Sequence, residues 1–335
     1  MNAKHLTTLA MLAAISAAAT AWALRSGAPT VASDRRGENV VPSLTTRAND
    51  ITGISIRDGT DMLAIERHDN RFVASDSGYP VKTDAVRDVV ASSAELSFEE
   101  SRTADLARYG DLGLADPGTK DAGKEITFRT AGGELASFVV GNRDTTVGGP
   151  AGGVFVRLKG QPQTFLARGS VRLPSSRSDW FVGIDLDVKR SEIKKVELAG
   201  GGRDGVTASA NAEKPGDLVL ANVPEKRTAD TFKVSRLATL VESFTFQDVR
   251  KAAKPADDAR RMMVDAGEGL HLVLTAVGDI TQGWVQISAE ATNDAVKDKA
   301  KLIASKVDGY DFRLPSNQAE ILGWTITDLT DERKS

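Results

Sequence analysis

From Ile51 onward the chain is written in short runs of alternating apolar and polar residues, separated by turn signals and interrupted by amphipathic stretches. Ile51-Thr52-Gly53-Ile54-Ser55-Ile56 opens the pattern, which predicts strands over 51–57, 62–66 and 71–74. Asp58-Gly59 supplies the hairpin chemistry between the first two. A helix follows, capped by Thr83 or Asp84, with Val86, Val89, Val90 and Leu96 on one face. Four further strands are expected over 126–129, 136–140, 154–158 and 164–167.

The same order is expected a second time. Ile193-Lys194-Lys195-Val196-Glu197-Leu198 repeats the opening run 142 residues later. Strands are predicted over 193–198, 205–208 and 218–221, with Gly200-Gly201-Gly202 as the turn. The second helix is capped by Thr228 or Asp230 and presents Phe232, Leu237, Leu240 and Val241 on its apolar face. The closing strands are expected over 270–275, 283–289, 310–314 and 320–324. Three more landmarks recur in order: Ser97-Phe98 as Ser243-Phe244, Thr130–Leu135 as Thr275–Ile280, and Arg157-Leu158 as Arg313-Leu314. Their growing spacing puts an insertion of about eleven residues near 293–307, where Ala295, Val296, Ala300, Leu302, Ile303 and Val307 suit an added helix. Strands following strands through tight turns, with one covering helix, give an α+β class: two tandem similar modules, 51–188 and 189–330, mostly of antiparallel sheet.

The N-terminus follows a different pattern. No charged residue stands between Leu6 and Leu24, while Lys4 precedes that run and Arg25 ends it. A helix of that length spans about 28 Å, close to the thickness of a hydrocarbon core. Leu6, Leu9, Leu12, Ile15, Trp22 and Leu24 are its strongly apolar residues, and Ala-rich intervals make insertion marginal. Ala17-Ala18-Ala19 and Ala21-Trp22-Ala23 offer signal-peptidase sites. Residues 1–25 therefore read as a signal anchor or a cleaved signal peptide, and either implies export. Residues 26–50, broken by Gly27, Pro29, Gly37 and Pro42, read as a flexible tether.

Composition narrows the chemistry. The chain has 335 residues, 43 basic against 46 acidic, and no cysteine. That balance gives no basic field for nucleic acid, and the missing thiols exclude disulfides, thiolate metal sites and an acylated lipoprotein anchor. His5, His68 and His271 are the three histidines, too scattered to suggest a metal centre. Gly118–Lys124 fits the spacing of a phosphate loop, but Glu125 stands where a magnesium-binding hydroxyl belongs and a strand follows. The Gly148–Gly153 run lacks a basic residue and reads as a hairpin connection. His68 lies in a charged turn and His271 alternates on a strand. Glu99-Glu100 and Asp257-Asp258 are adjacent pairs that should diverge, and Trp180, Trp284 and Trp324 read as packing residues. No catalytic, cofactor or metal residues are assigned. Lys189 and Arg190 with Lys194 and Lys195 form a basic cluster between the modules that would suit an acidic partner surface.

Particular motifs go further. Arg71-Phe72-Val73 and Tyr79-Pro80-Val81 are followed by the first helix, then by Tyr109-Gly110 and Leu112-Gly113-Leu114-Ala115-Asp116-Pro117. Phe138-Val139-Val140-Gly141-Asn142, Gly153–Leu158 and Asp179-Trp180 complete the set. Together they resemble the domain of unknown function 4340 family. The resemblance implies a membrane-anchored, duplicated extracytoplasmic protein of bacteria, found beside ABC transporter subunits of the gliding-motility type; it supplies no active-site residues. The expectation is a non-enzymatic accessory subunit on the inner membrane, single-pass, with its bulk in the periplasm. The alternative is a periplasmic module, free after signal cleavage, that binds an envelope polymer such as peptidoglycan or polysaccharide.

Overall fold

The computed structural model describes residues 35–146 and 152–333. The membrane-segment residues Leu6, Leu9, Leu12, Ile15, Trp22 and Leu24, and most of the Gly148–Gly153 run, lie outside them. Among the described residues no helix is long and apolar enough to cross a membrane.

The first repeat comprises α1 (Pro42–Arg47), β1 (Ile51–Asp58), β2 (Asp61–His68), β3 (Arg71–Ala74), α2 (Thr83–Ala94), β4 (Ser97–Ser101), β5 (Lys124–Thr130), β6 (Gly133–Asp144), β7 (Gly153–Leu158) and β8 (Thr164–Arg168). The second comprises β9 (Ile193–Ala199), β10 (Val206–Ala210), β11 (Leu218–Leu220), β12 (Arg227–Ala229), α3 (Thr231–Glu242), β13 (Asp248–Lys251), β14 (Arg261–Ala266), β15 (Leu270–Ala276), β16 (Trp284–Ala291), α4 (Lys297–Val307), β17 (Tyr310–Arg313), α5 (Ser316–Gly323) and β18 (Thr330–Glu332). The two large sheets run β3-β2-β1-β5-β6-β7-β8-β4 and β11-β10-β9-β14-β15-β16-β17-β13. Strand for strand these are the same order, so the fold is α+β, mostly antiparallel, and written twice.

That order also corrects the expected alignment. Strands β4, β13 and β14 of these sheets, and β12 and β18, which pair with each other, are additional to those expected; the counterpart of β5 is β14, because each pairs with the opening strand of its repeat. Arg157 is not the counterpart of Arg313. Arg168 is, since Arg168 lies opposite Ser97 and Gly153 while Arg313 lies opposite Asp248 and Trp284. Of residues 320–324, expected as a strand, 320–323 belong to helix α5 and Trp324 follows it in extended conformation: Pro315 ends the extended run, and Gln318, Ala319, Ile321 and Leu322 pack one helical face. The inserted helix is present as α4, burying Ala300, Ile303 and Val307. Phe232 is 73% exposed rather than on the apolar face of α3, because it sits in the first turn, where Asp230 caps its amide; Val234, Leu237, Ala238, Leu240 and Val241 form the buried stripe.

Residues 35–50 are not tether. Val40, Val41 and Leu44 are buried, and residues 37–40 pair with the outer edge of β4. Gly37 donates to Phe98 O at 2.8 Å, Phe98 donates to Glu38 O at 2.9 Å, and Val40 donates to Leu96 O at 2.8 Å. Pro42 does not interrupt the chain here; it starts α1, where a proline costs no hydrogen bond.

Two compact units result. Among the described residues, one takes 35–62, 87–146 and 152–172; the other takes 63–86 and 173–333. In the second unit Tyr79 stands at the centre of an aromatic cluster, edge-on to Phe181, Phe246, Tyr310 and Phe312 at 4.9–5.9 Å between ring centres. Its hydroxyl donates to Val182 O at 3.0 Å, and burial, then Tyr310, raises its pKa far above the ordinary tyrosine range. Arg177 ties the rim together, with Asp248 at 2.6 Å and Asp76 at 2.7 Å. Tyr79-Pro80-Val81 and Asp179-Trp180 thus meet: Val81 bridges Phe181, and Lys82 donates to Trp180 O at 2.8 Å.

Candidate functional site

A large cavity lies wholly in the first unit, where the chain crosses from β4 to β5 over residues 102–123. Backbone contact fixes the crossover against β6. Gly113 has φ +65°, and a Cβ there would stand 2.6 Å from Asn142 Oδ1. A Cβ on Gly123 would meet Gly113 O at 2.6 Å, and one on Gly141 would meet Gly113 O at 2.8 Å. The family-like run Tyr109–Pro117 is held from the strand side by Arg157. Its guanidinium lies 4.7 Å over the Tyr109 ring and donates to Leu114 O at 3.2 Å and Asp116 Oδ1 at 2.5 Å. Tyr109, Leu114 and Val139 form a small core beneath, and the Tyr109 hydroxyl donates to Pro162 O at 2.5 Å.

This crossover leaves a groove of about 840 Å³ between itself and strands β4, β6 and β7. Leu112 and Phe155 provide apolar floor, packed on that small core. The walls are charged and of both signs. Arg102 lies 5.6 Å over Phe155 and pairs with Glu100 at 3.2 Å; Arg108 approaches Asp111 at 3.7 Å. Asp105 caps the next turn through Ala107 N at 3.0 Å. Asp144 accepts from the Thr146 hydroxyl at 2.5 Å and amide at 2.8 Å; these bonds hold its pKa below the usual carboxylate value. Thr103 and Thr164 lock the end of β4 to β8. The volume is that of a ligand or peptide site. Its groups offer donors, acceptors and an aromatic face, without a nucleophile–base pair.

The second repeat fills the equivalent place. Its crossover is short, residues 252–260, and by register Phe155 corresponds to Gln286 and Leu166 to Asp311. Asp311 is fully buried and receives Arg250 Nε at 2.9 Å, Gln286 Nε2 at 2.9 Å and Ala253 N at 3.3 Å. Arg250 in turn stacks 4.1 Å over Trp284. Buried carboxylates require such partners, and this network packs the surface that the first repeat leaves open.

The sequence-derived sites fare differently. Lys189, Arg190, Lys194 and Lys195 are adjacent, but two are engaged. Arg190 pairs with Glu242 at 2.8 Å and donates to Thr239 Oγ1 at 2.9 Å on α3; Lys195 pairs with Glu197 at 2.8 Å. Lys189 and Lys194 are exposed. Lys124 pairs with Asp58 at 2.8 Å on a strand, so the phosphate-loop spacing does not make a phosphate loop. His68 is exposed beside Glu66 at 3.6 Å. His271 Nδ1 meets Asp265 at 2.7 Å as a cross-strand pair. Glu99 and Glu100 diverge as expected: Glu99 takes Arg36 and Arg168, Glu100 takes Arg102. Trp180 is buried, whereas Trp284 and Trp324 are half-buried under arginines. Among the described residues no group of three or more His, Cys, Asp or Glu is placed to hold a metal ion. The groove is not legible in the sequence because it joins loop positions 102–112, which have no periodicity, to distant strand residues such as Asp144 and Phe155; the glycines at 113, 123 and 141 are the available signal.

A duplicated antiparallel α+β scaffold with one open crossover defines the class. The chain belongs to the domain of unknown function family DUF4340, whose model matches residues 72–261. No curated protein and no solved structure matches it significantly.

Proposed function

We propose that the chain is a non-enzymatic interaction subunit, held at the bacterial inner membrane by its N-terminal segment with its bulk in the periplasm, and working beside the membrane subunits of an ABC transporter. In this reading the first repeat's groove receives an extended segment of a partner polypeptide. The observation that carries it is the asymmetry between the repeats: one frame, with the crossover face packed in one copy and open in the other. Strand β4 lies at the sheet edge, and residues 37–40 pair with it only along 96–98. Its end at Glu100 and Ser101 therefore borders the groove as an edge to which a further strand can add. Walls of both charge signs over an aromatic floor suit a polypeptide, whose backbone brings donors and acceptors together. The uncharged run 6–24 supports the membrane attachment.

Affinity purification of the tagged chain from membranes in mild detergent tests the reading. Transporter subunits at near-stoichiometric yield, reduced at least tenfold by Phe155→Asp with Arg102→Glu, are expected. Their repeated absence would contradict it. A second reading, a periplasmic module for an envelope polymer, is favoured by one observation: a half-buried tryptophan lining a cleft in the second unit.

A further inference from the structure

We propose that the cleft beside Trp324 is a binding site for a neutral pyranose ring within a glycan chain. The inference names the ligand of the second reading above and rests on it; it does not depend on the transporter reading. Trp324 follows α5 and lines a cavity of about 400 Å³ with Arg203, Thr281, Ser316, Glu320 and Asp328. One side of the indole is already fixed. Arg236 lies 4.9 Å over it and is anchored by Asn317 O at 2.6 Å and Glu320 Oε1 at 2.7 Å. Arg236 is not part of the cavity lining, so the cavity meets the indole elsewhere. A rigid aromatic surface without its own conformational freedom is what the weakly positive C–H face of a sugar ring packs against.

The polar groups around it are the right kind and have capacity to spare. Asp328 uses Oδ2 to accept from Thr325 N and Oγ1, both at 2.8 Å, leaving Oδ1. Arg203 spends one nitrogen on Gly323 O at 3.4 Å. The Ser316 hydroxyl and the Trp324 ring nitrogen make no hydrogen bond among the described residues. Planar carboxylate and guanidinium groups beside hydroxyls can take adjacent sugar hydroxyls as paired donors and acceptors.

Charge selects the ligand. Arg203 faces Asp328, while Glu320 is neutralised by Arg236, so the cavity favours neither an anion nor a cation. A phosphate or uronate would meet two carboxylates. A second cavity of about 230 Å³, beside Asp258 and the buried Arg260, shares Arg203 and Ile280 with the first. Two adjoining lobes suit consecutive units of a chain better than a single free sugar.

The test is a titration of the full-length chain, in a detergent without a sugar headgroup, with tri-N-acetylchitotriose and with maltotriose, read by isothermal titration calorimetry. One of the two should give a saturable change with a dissociation constant of about 1 mM, and inorganic phosphate none. Trp324→Ala should weaken binding at least tenfold, Trp324→Phe less, and Arg203→Ala several-fold. Failure of both trisaccharides to saturate overturns the proposal, as does unchanged affinity in Trp324→Ala. If Trp324→Ala is unfolded by circular dichroism, unchanged affinity in Arg203→Ala overturns it instead. Retention on purified cell wall without trisaccharide binding would also overturn this site, yet leave the polymer reading standing.

Discussion

Glycine 141 carries more of the candidate site than any charged residue does. A side chain there would be driven into the backbone of the crossover, near Leu112 and Gly113, and no rotamer relieves a clash that starts at Cβ. Gly141→Ala and Gly123→Ala are each expected to lower unfolding free energy by about 2–4 kcal/mol in urea titrations. Gly183→Ala has nothing within 4 Å and an ordinary φ, and should stay within about 0.5 kcal/mol of wild type. Glu99 gives a pH prediction. Hydrogen bonding from Arg36, then Arg168, lowers its pKa in the folded chain. Its contribution is therefore present above the unfolded value of about 4.3 and disappears as pH falls through the lower folded value. Glu99→Gln should flatten the acid limb of stability measured from pH 6 to 3; an unchanged acid limb would remove Glu99 from the account. Gly141 stands in the Phe138–Asn142 motif, but the reason for it is a backbone approach that only three-dimensional structure displays.

Elements with a clear apolar period were legible. β1 and β9 begin at the expected Ile51 and Ile193, and β3 has its expected bounds. What escaped were elements defined by pairing. β4 has one buried apolar residue, Phe98, and a register shift at Glu99; it is a strand because β8 lies on one side and residues 37–40 on the other. β14 was hidden by Arg261 and Asp265, and α5 by a short apolar run that reads equally as strand or helix. The N-terminal pairing can be tested directly. A chain beginning at residue 42 loses the 37–40 ladder and the burial of Val40 and Val41, and should unfold at least about 5 °C lower than a chain beginning at residue 35. Equal melting temperatures would show that the segment adds nothing to β4.

At the scale of the whole molecule, duplication was readable from one good landmark, the 51/193 pair, together with several slipped ones. Slippage arose because the crossovers differ in length, residues 102–123 against 252–260, and because α4 is inserted before β17. Those same differences separate the repeats in use: one crossover leaves a groove, the other is packed over Asp311 and Gln286 through Ala253. The central claim is that the open groove holds a segment of a membrane transporter subunit. It is tested most directly by placing a photo-cross-linking amino acid at Phe155, or at Gln286 in the packed counterpart, in cells, and identifying adducts by mass spectrometry. The account predicts adducts from position 155 to a transporter membrane subunit and none from position 286. Absence of such adducts at 155, or equal yields at both positions, would contradict it.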